Sequence, residues 1–147
     1  MLFHTFLFVF LAEMADKTQL MIMALTNRYS VKTVIAGMIL GVLAISGVSV
    51  LAGDLIGDLI PMRLIKLAAS AMFLFFGLMN LRCSAKEEAG HHFALKIPVV
   101  SIAFTFVIAE LGDKTQLATV ALAADHMSEH FPIFLGASLG LIMANIL

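Results

Sequence analysis

The sequence predicts an all-α integral membrane protein made of two inverted three-helix repeats, the second incomplete, with about five transmembrane helices present. Three observations predict it. The 147-residue chain is 61% hydrophobic and 13% charged, with a mean hydropathy of +1.04. A soluble domain is nearer half apolar and about a quarter charged, and a small globule has too much surface for its volume to hide the excess. The apolar residues fall in blocks of roughly 20, the length of helix that crosses a bilayer. Finally, one charged phrase occurs twice: "AEMADKTQLMIMAL" at 12–25 and "AELGDKTQLATVAL" at 109–122 are identical at nine of fourteen positions.

The elements follow in order. Segment one runs from about Leu2 to Thr26, and the polar turn "NRYSVK" (27–32) closes it. Segment two spans about Thr33 to Ala52. Gly37 and Gly41, then Gly53 and Gly57, have the small-xxx-small spacing that lets helices approach closely. "GDLIGDLIPMR" (53–63) reads as a helix end, an interfacial turn and a restart at Pro61. Segment three spans about Met62 to Leu81. "RCSAKEEAGHHFALK" (82–96) is the long polar stretch and the natural linker. Segment four spans about Ile97 to Ala124, and segment five begins near Phe131 after the polar turn "DHMSEHFP". Each segment should be helical, since a span in lipid must satisfy its own backbone hydrogen bonds. The alternating ten-residue strands of a barrel are absent from the sequence.

The repeat organises the chain as a first three-helix unit at 1–82, a polar linker at 83–96 and an incomplete second unit at 97–147. With a two-residue slip, Gly37 and Gly41 match Gly136 and Gly140. Segment four therefore copies segment one, segment five copies segment two, and segment three has no copy. By that analogy a truncated form is expected, with roughly 35 residues needed to finish segment five and add a sixth. A native five-helix form is the alternative. Three spans per repeat is an odd number, so successive copies enter the membrane from opposite sides, as in many secondary transporters. Arg28, Lys32, Arg82, Lys86 and Lys96 fall on one side. Arg63 and Lys66 fall on the other, with Asp54, Asp58, Asp125 and Glu129. The first side is then cytoplasmic and the N-terminus outside, in a multi-pass protein of the inner (cell) membrane.

Carboxylates within a bilayer are costly, about 2.5–3.5 kcal/mol each on insertion scales, unless they face one another, a cation or water. On a continuous helix Glu13, Asp16 and Lys17 stand at i, i+3 and i+4 and share a face, flanked by Gln19. Thr18 points away unless the helix unwinds locally. Glu110, Asp113, Lys114, Thr115 and Gln116 repeat the pattern, and Gly112, where the first copy has Ala15, permits such a break. Four carboxylates and two ammonium groups sum to −2, which complements one divalent cation. Without the cation the carboxylates repel and take up protons, so exchange of cation for protons follows. Oxygen ligands suit Mg²⁺, Ca²⁺ or Mn²⁺ better than soft metals. The plain alternative is a pair of intrahelical ion pairs, which stabilise weakly compared with apolar packing.

At these residues the chain resembles the Gdt family of small membrane cation–proton exchangers, whose mark is Glu-x-Gly-Asp-Lys-Thr occurring twice across two three-helix repeats. The resemblance implies a transporter rather than an enzyme, with Mn²⁺ or Ca²⁺ and protons as substrates and no resident cofactor, and manganese export as its direction. It implies that Glu13, Asp16, Glu110 and Asp113 form the cation site, with Thr18, Thr115, Gln19 and Gln116 nearby. Ala15 stands where the first motif's glycine is expected.

Other features are quieter. Met14, Met21 and Met23 flank the first motif; a thioether favours Mn²⁺ over Ca²⁺, while flexible apolar filler is the plainer reading. His126 and His130, and the adjacent His91 and His92, read as solvated loop residues, since no further ligand accompanies either pair at metal-site spacing. Asp54 and Asp58 read as an interfacial polar face. Cys83 has no partner for an internal disulfide, and the N-terminus lacks the basic start and small-residue cleavage site of a signal peptide. A net charge of −1 gives no footprint for nucleic acid. No Gly-x-Ser-x-Gly or His-Glu-x-x-His occurs, so an intramembrane enzyme is disfavoured. The competing functions are an exporter of a small organic cation or amino acid, and a non-transporting membrane subunit. Membrane lipid is the expected surrounding, and a homo-oligomer is left open.

Overall fold

The structure, a computed structural model, describes residues 1–14, 17–82, 97–126 and 128–146. Among these residues every regular element is a helix: α1 (Leu2–Glu13), α2 (Lys17–Thr26), α3 (Val31–Leu59), α4 (Met62–Arg82), α5 (Pro98–Glu110), α6 (Lys114–Asp125) and α7 (His130–Ile146). The linker 83–96, with Cys83, His91 and His92, lies outside the described residues.

Two expectations from sequence are corrected. Segments one and four are not continuous helices. Each is broken at the charged phrase, α1 stopping at Glu13 and α5 at Glu110. Met14 leaves the helical region at φ −57°, ψ 127°, and Leu111 does so at φ −63°, ψ 119°. Gly112 follows at φ +80°, a conformation with little steric penalty only for glycine. Second, α3 does not end near Ala52 but runs on to Leu59. Contact explains the extension: a Cβ on Gly53 would meet Val120 O of α6 at 2.5 Å, and one on Gly57 would meet Ala124 O at 3.1 Å. Glycine lets the two backbones touch, and that packing outweighs its poor helix propensity. Ser30 caps the start of α3, its Oγ accepting from Thr33 N at 3.3 Å.

The packing is crossed between the repeats. Gly37 and Gly41 on α3 press against α5, with Val99 O and Ala103 O each 2.9 Å from an added Cβ. Their counterparts Gly136 and Gly140 on α7 press against α1, meeting Leu2 O at 2.6 Å and Phe6 O at 2.9 Å. The central cluster is made of Val9, Met38, Val42, Phe106, Ala137 and Leu141. These are three repeat-related pairs, Val9 with Phe106, Met38 with Ala137 and Val42 with Leu141. Leu25, Val34 and Ile102 gather at one end of the bundle. At the other end the Met1 ammonium meets Glu129 at 3.3 Å, Lys66 meets Asp125 at 2.8 Å and His130 meets Asp54 at 3.3 Å. The N-terminus, the α3–α4 turn and the α6–α7 turn therefore share that end.

Among the described residues α3 is the one helix long and apolar enough to cross a membrane by itself, while α1, α5 and α7 are shorter apolar helices. Polarity is distributed unlike that of a water-surrounded globule. Leu51, Leu55, Leu67 and Leu74 are each about two-thirds exposed, whereas Glu13, Thr18, Glu110 and Thr115 are almost completely buried.

Candidate functional site

The two breaks meet. Glu13 is the last residue of α1 and Glu110 the last of α5, so both carboxylates leave from helix C-termini. Asp113 is the N-cap of α6, extended at φ −74°, ψ 165°. One carboxylate oxygen from each of Glu13, Glu110 and Asp113 lies within 4.8 Å of the others. The surroundings are electrostatically sorted. The C-termini of α1 and α5 present carbonyl groups and the negative ends of their dipoles, which favour a cation. Asp113 caps the N-terminus of α6, where the positive end of that helix's dipole lies. Three carboxylates this close suit a hard divalent cation bound by oxygen.

The breaks also decide where the neighbouring side chains go. Thr18 does not point away: its Oγ1 donates to Glu13 Oε2 at 3.4 Å across the break, and the side chain is buried. A continuous helix would have carried it to the opposite face; the local unwinding that the sequence reading left open brings it to Glu13 instead. Thr115 is its counterpart and is equally buried. Lys114 opens α6 and is half-buried. Asp16 and the Lys17 side chain lie outside the described residues.

Gln19 and Gln116, identical in the sequence repeat, behave differently. Gln19 Nε2 donates across the bundle to Ala144 O of α7. Gln116 Oε1 instead accepts from Gly112 N in its own break. Beside Gln116 is a cavity of about 10 Å³, lined by Glu110 and Thr115 together with Ser46 and Ser49 of α3 and Thr119 of α6. That is room for roughly one water-sized body. Ile45 of α3 and Leu141 of α7 complete the lining. Ser49 Oγ and Thr119 Oγ1 donate to Ile45 O and Thr115 O in their own helices, both at 2.8 Å. Ser46 Oγ is buried with no hydrogen-bond partner. Sequence reading passed over Ser46, Ser49 and Thr119. Their signal was a run of hydroxyl side chains at helical spacing within otherwise apolar segments.

The family model described as "Divalent cation/proton antiporter GDT1" matches residues 1–88 and 98–147. A Vibrio cholerae protein named "Putative manganese exporter" is 31% identical over 139 residues, covering 94% of this chain and 69% of that protein. A GDT1-like protein of Synechocystis is 35% identical over 156 residues, covering 91% of this chain and 74% of the relative. The Saccharomyces cerevisiae protein named "Divalent cation/proton antiporter GDT1" is 40% identical over 76 residues, covering 52% of this chain and 27% of the relative. No solved structure matches the chain.

Proposed function

The chain belongs to the GDT1 family of divalent cation/proton antiporters, and from that premise we propose that it is a multi-pass membrane protein exchanging Mn²⁺, with Ca²⁺ as a second substrate, for protons. The observation that carries the proposal is the convergence of Glu13, Glu110 and Asp113 within 4.8 Å of one another, at two helix breaks supplied by the two copies of one motif. A cation or protons would relieve the mutual repulsion of such a cluster, and these alternatives are the two substrates of an antiporter. Export of manganese is the favoured direction, in line with the name carried by the Vibrio cholerae relative.

The inverted-repeat reading is supported by the crossed glycine contacts and by the three repeat-related pairs in the central cluster. In this reading α1 with α2, and α5 with α6, each cross the bilayer as one broken span, joining α3, α4 and α7 to give five. Broken helices are tolerated at membrane depth where their free backbone groups line a protein-enclosed site. The exposed leucines face lipid. The N-terminus lies outside, on the end shared by Asp54, Asp125 and Glu129. Asp16 completes the carboxylate set in this scheme.

The test is flux in proteoliposomes containing the full-length protein. An imposed pH gradient should drive Mn²⁺ accumulation, and Glu13→Gln or Asp113→Asn should abolish it. Undiminished flux in the double variant would remove the site.

A further inference from the structure

The cavity beside Gln116 shares Glu110 with the carboxylate cluster, and its walls are built to receive a hydrogen-bond donor. Ser49 Oγ and Thr119 Oγ1 have committed their hydrogens to Ile45 O and Thr115 O, both at 2.8 Å. Their lone pairs remain, so each can accept a bond and neither has a hydrogen left to give. Ser46 Oγ is buried without a hydrogen-bond partner. The cavity measures about 10 Å³, room for one water and too little for two. Ile45 and Leu141 close the rest of it with hydrocarbon, where a second water would find nothing to bond. The first copy of the motif is arranged differently. There Thr18 Oγ1 donates directly to Glu13 Oε2 at 3.4 Å, whereas Thr115, its counterpart, lines the cavity together with Glu110.

We propose that this cavity seats one water molecule that the cation keeps as a ligand when it binds beside Glu110. A water on a cation turns its oxygen to the metal and both hydrogens away. It therefore needs acceptors on its far side, which Ser46, Ser49 and Thr119 supply. Three carboxylates give an octahedral cation most of its oxygens, and the seat adds a neutral one without adding charge. The seat also sets selectivity. Mg²⁺ dehydrates reluctantly and usually keeps several waters. A site with room for one forces it to shed the rest, while a larger cation such as Mn²⁺ sheds water more readily. Ser46 is then a specificity residue that touches the water and not the metal. This seat rests on the cation site proposed above and adds to it the hydration state of the bound ion.

Mn²⁺ is paramagnetic, so the waters on it can be counted without any flux measurement. The full-length protein in detergent is loaded with Mn²⁺, and electron–nuclear double resonance is compared in ordinary and heavy water. One water, seen as a single pair of strongly coupled exchangeable protons, is the expected count. Ser46→Val fills the seat with hydrocarbon and should remove that pair while Mn²⁺ still binds. Ser46→Ala keeps the space but deletes the hydroxyl, and should weaken Mn²⁺ binding about two- to tenfold, the factor carried by one hydrogen bond. Mg²⁺ should displace Mn²⁺ from the wild type only in large excess. No water or several waters on the wild-type Mn²⁺ would overturn the seat, as would an undiminished signal in Ser46→Val or Mg²⁺ competing on equal terms. Should Ser46→Val not fold, the wild-type count and the Ser46→Ala affinity decide. A protein that binds no Mn²⁺ at all would refute the cation site itself, and the seat with it.

Discussion

Replacing Glu110 by Gln separates a cation site from a structural ion pair, because the two predict opposite changes in stability. Glu110 is 2% exposed, and its carboxylate lies within 4.8 Å of those of Glu13 and Asp113. At that separation two unit negative charges repel by about 3.5 kcal/mol at an effective dielectric near 20. Neighbouring groups offset part of this, leaving a gain on neutralising one member of about 1–3 kcal/mol. For a protein of this length that is a rise in melting temperature of about 2–10 °C. Added Mn²⁺ should stabilise the wild type by about 2.7 kcal/mol at a hundred times Kd, raising its midpoint, and leave the variant unmoved. Thermal unfolding in detergent with chelator, followed by circular dichroism, makes the measurement. A variant that melts lower in chelator, by the roughly 3–5 kcal/mol expected when a buried ion pair loses one partner, would refute the reasoning.

Four further variants follow from packing, backbone conformation and charge. Gly136→Ala puts a Cβ 2.6 Å from Leu2 O and should destabilise by about 1–3 kcal/mol. Gly47→Ala, whose nearest neighbour is 3.8 Å away, should be neutral or stabilising by up to about 1 kcal/mol through helix propensity, and paired melts of the two proteins check the contrast. Gly112→Ala meets nothing within 4 Å but must hold φ +80°. It should cost about 1–2 kcal/mol by conformation alone and lower Mn²⁺ flux by shifting Asp113, readable as a melt and a flux on one preparation. Lys66→Ala removes the 2.8 Å pair with Asp125, but Lys66 is 59% exposed. Solvent screening leaves it a change under about 1 kcal/mol, and the midpoint should barely move.

The doubled charged phrase was legible because it is written in residue identities: two copies of Glu, Asp, Lys, Thr and Gln in greasy surroundings admit few readings. The glycine pairs were legible as close-approach positions for the same reason, although their partners were not. The breaks were only half legible. Gly112 signals one, but Glu-Met-Ala at 13–15 contains no helix breaker, and apolar periodicity runs through it. The interruption there has no local cause in the sequence, and it sets Glu13 beside Glu110 and Asp113. The extension of α3 to Leu59 was hidden because Gly53, Asp54 and Gly57 look like a turn locally and become helix only against α6. The unlike behaviour of Gln19 and Gln116 has no local cause in the sequence, since the phrases around them match.

The crossed glycine contacts also govern how the chain is made. The face of α1 that receives Gly136 and Gly140 has no partner until α7 is synthesised, more than a hundred residues later. At ~5–20 residues per second that interval is about 6–25 s. Through it the ribosome holds a nascent chain with a half-length helix ending in Glu13 and no cross-repeat partner to complete its site. Early insertion is thus provisional, and the final seating of α1 waits on α7. Two separately expressed halves should therefore be quality-control substrates when made alone and rescue each other when made together.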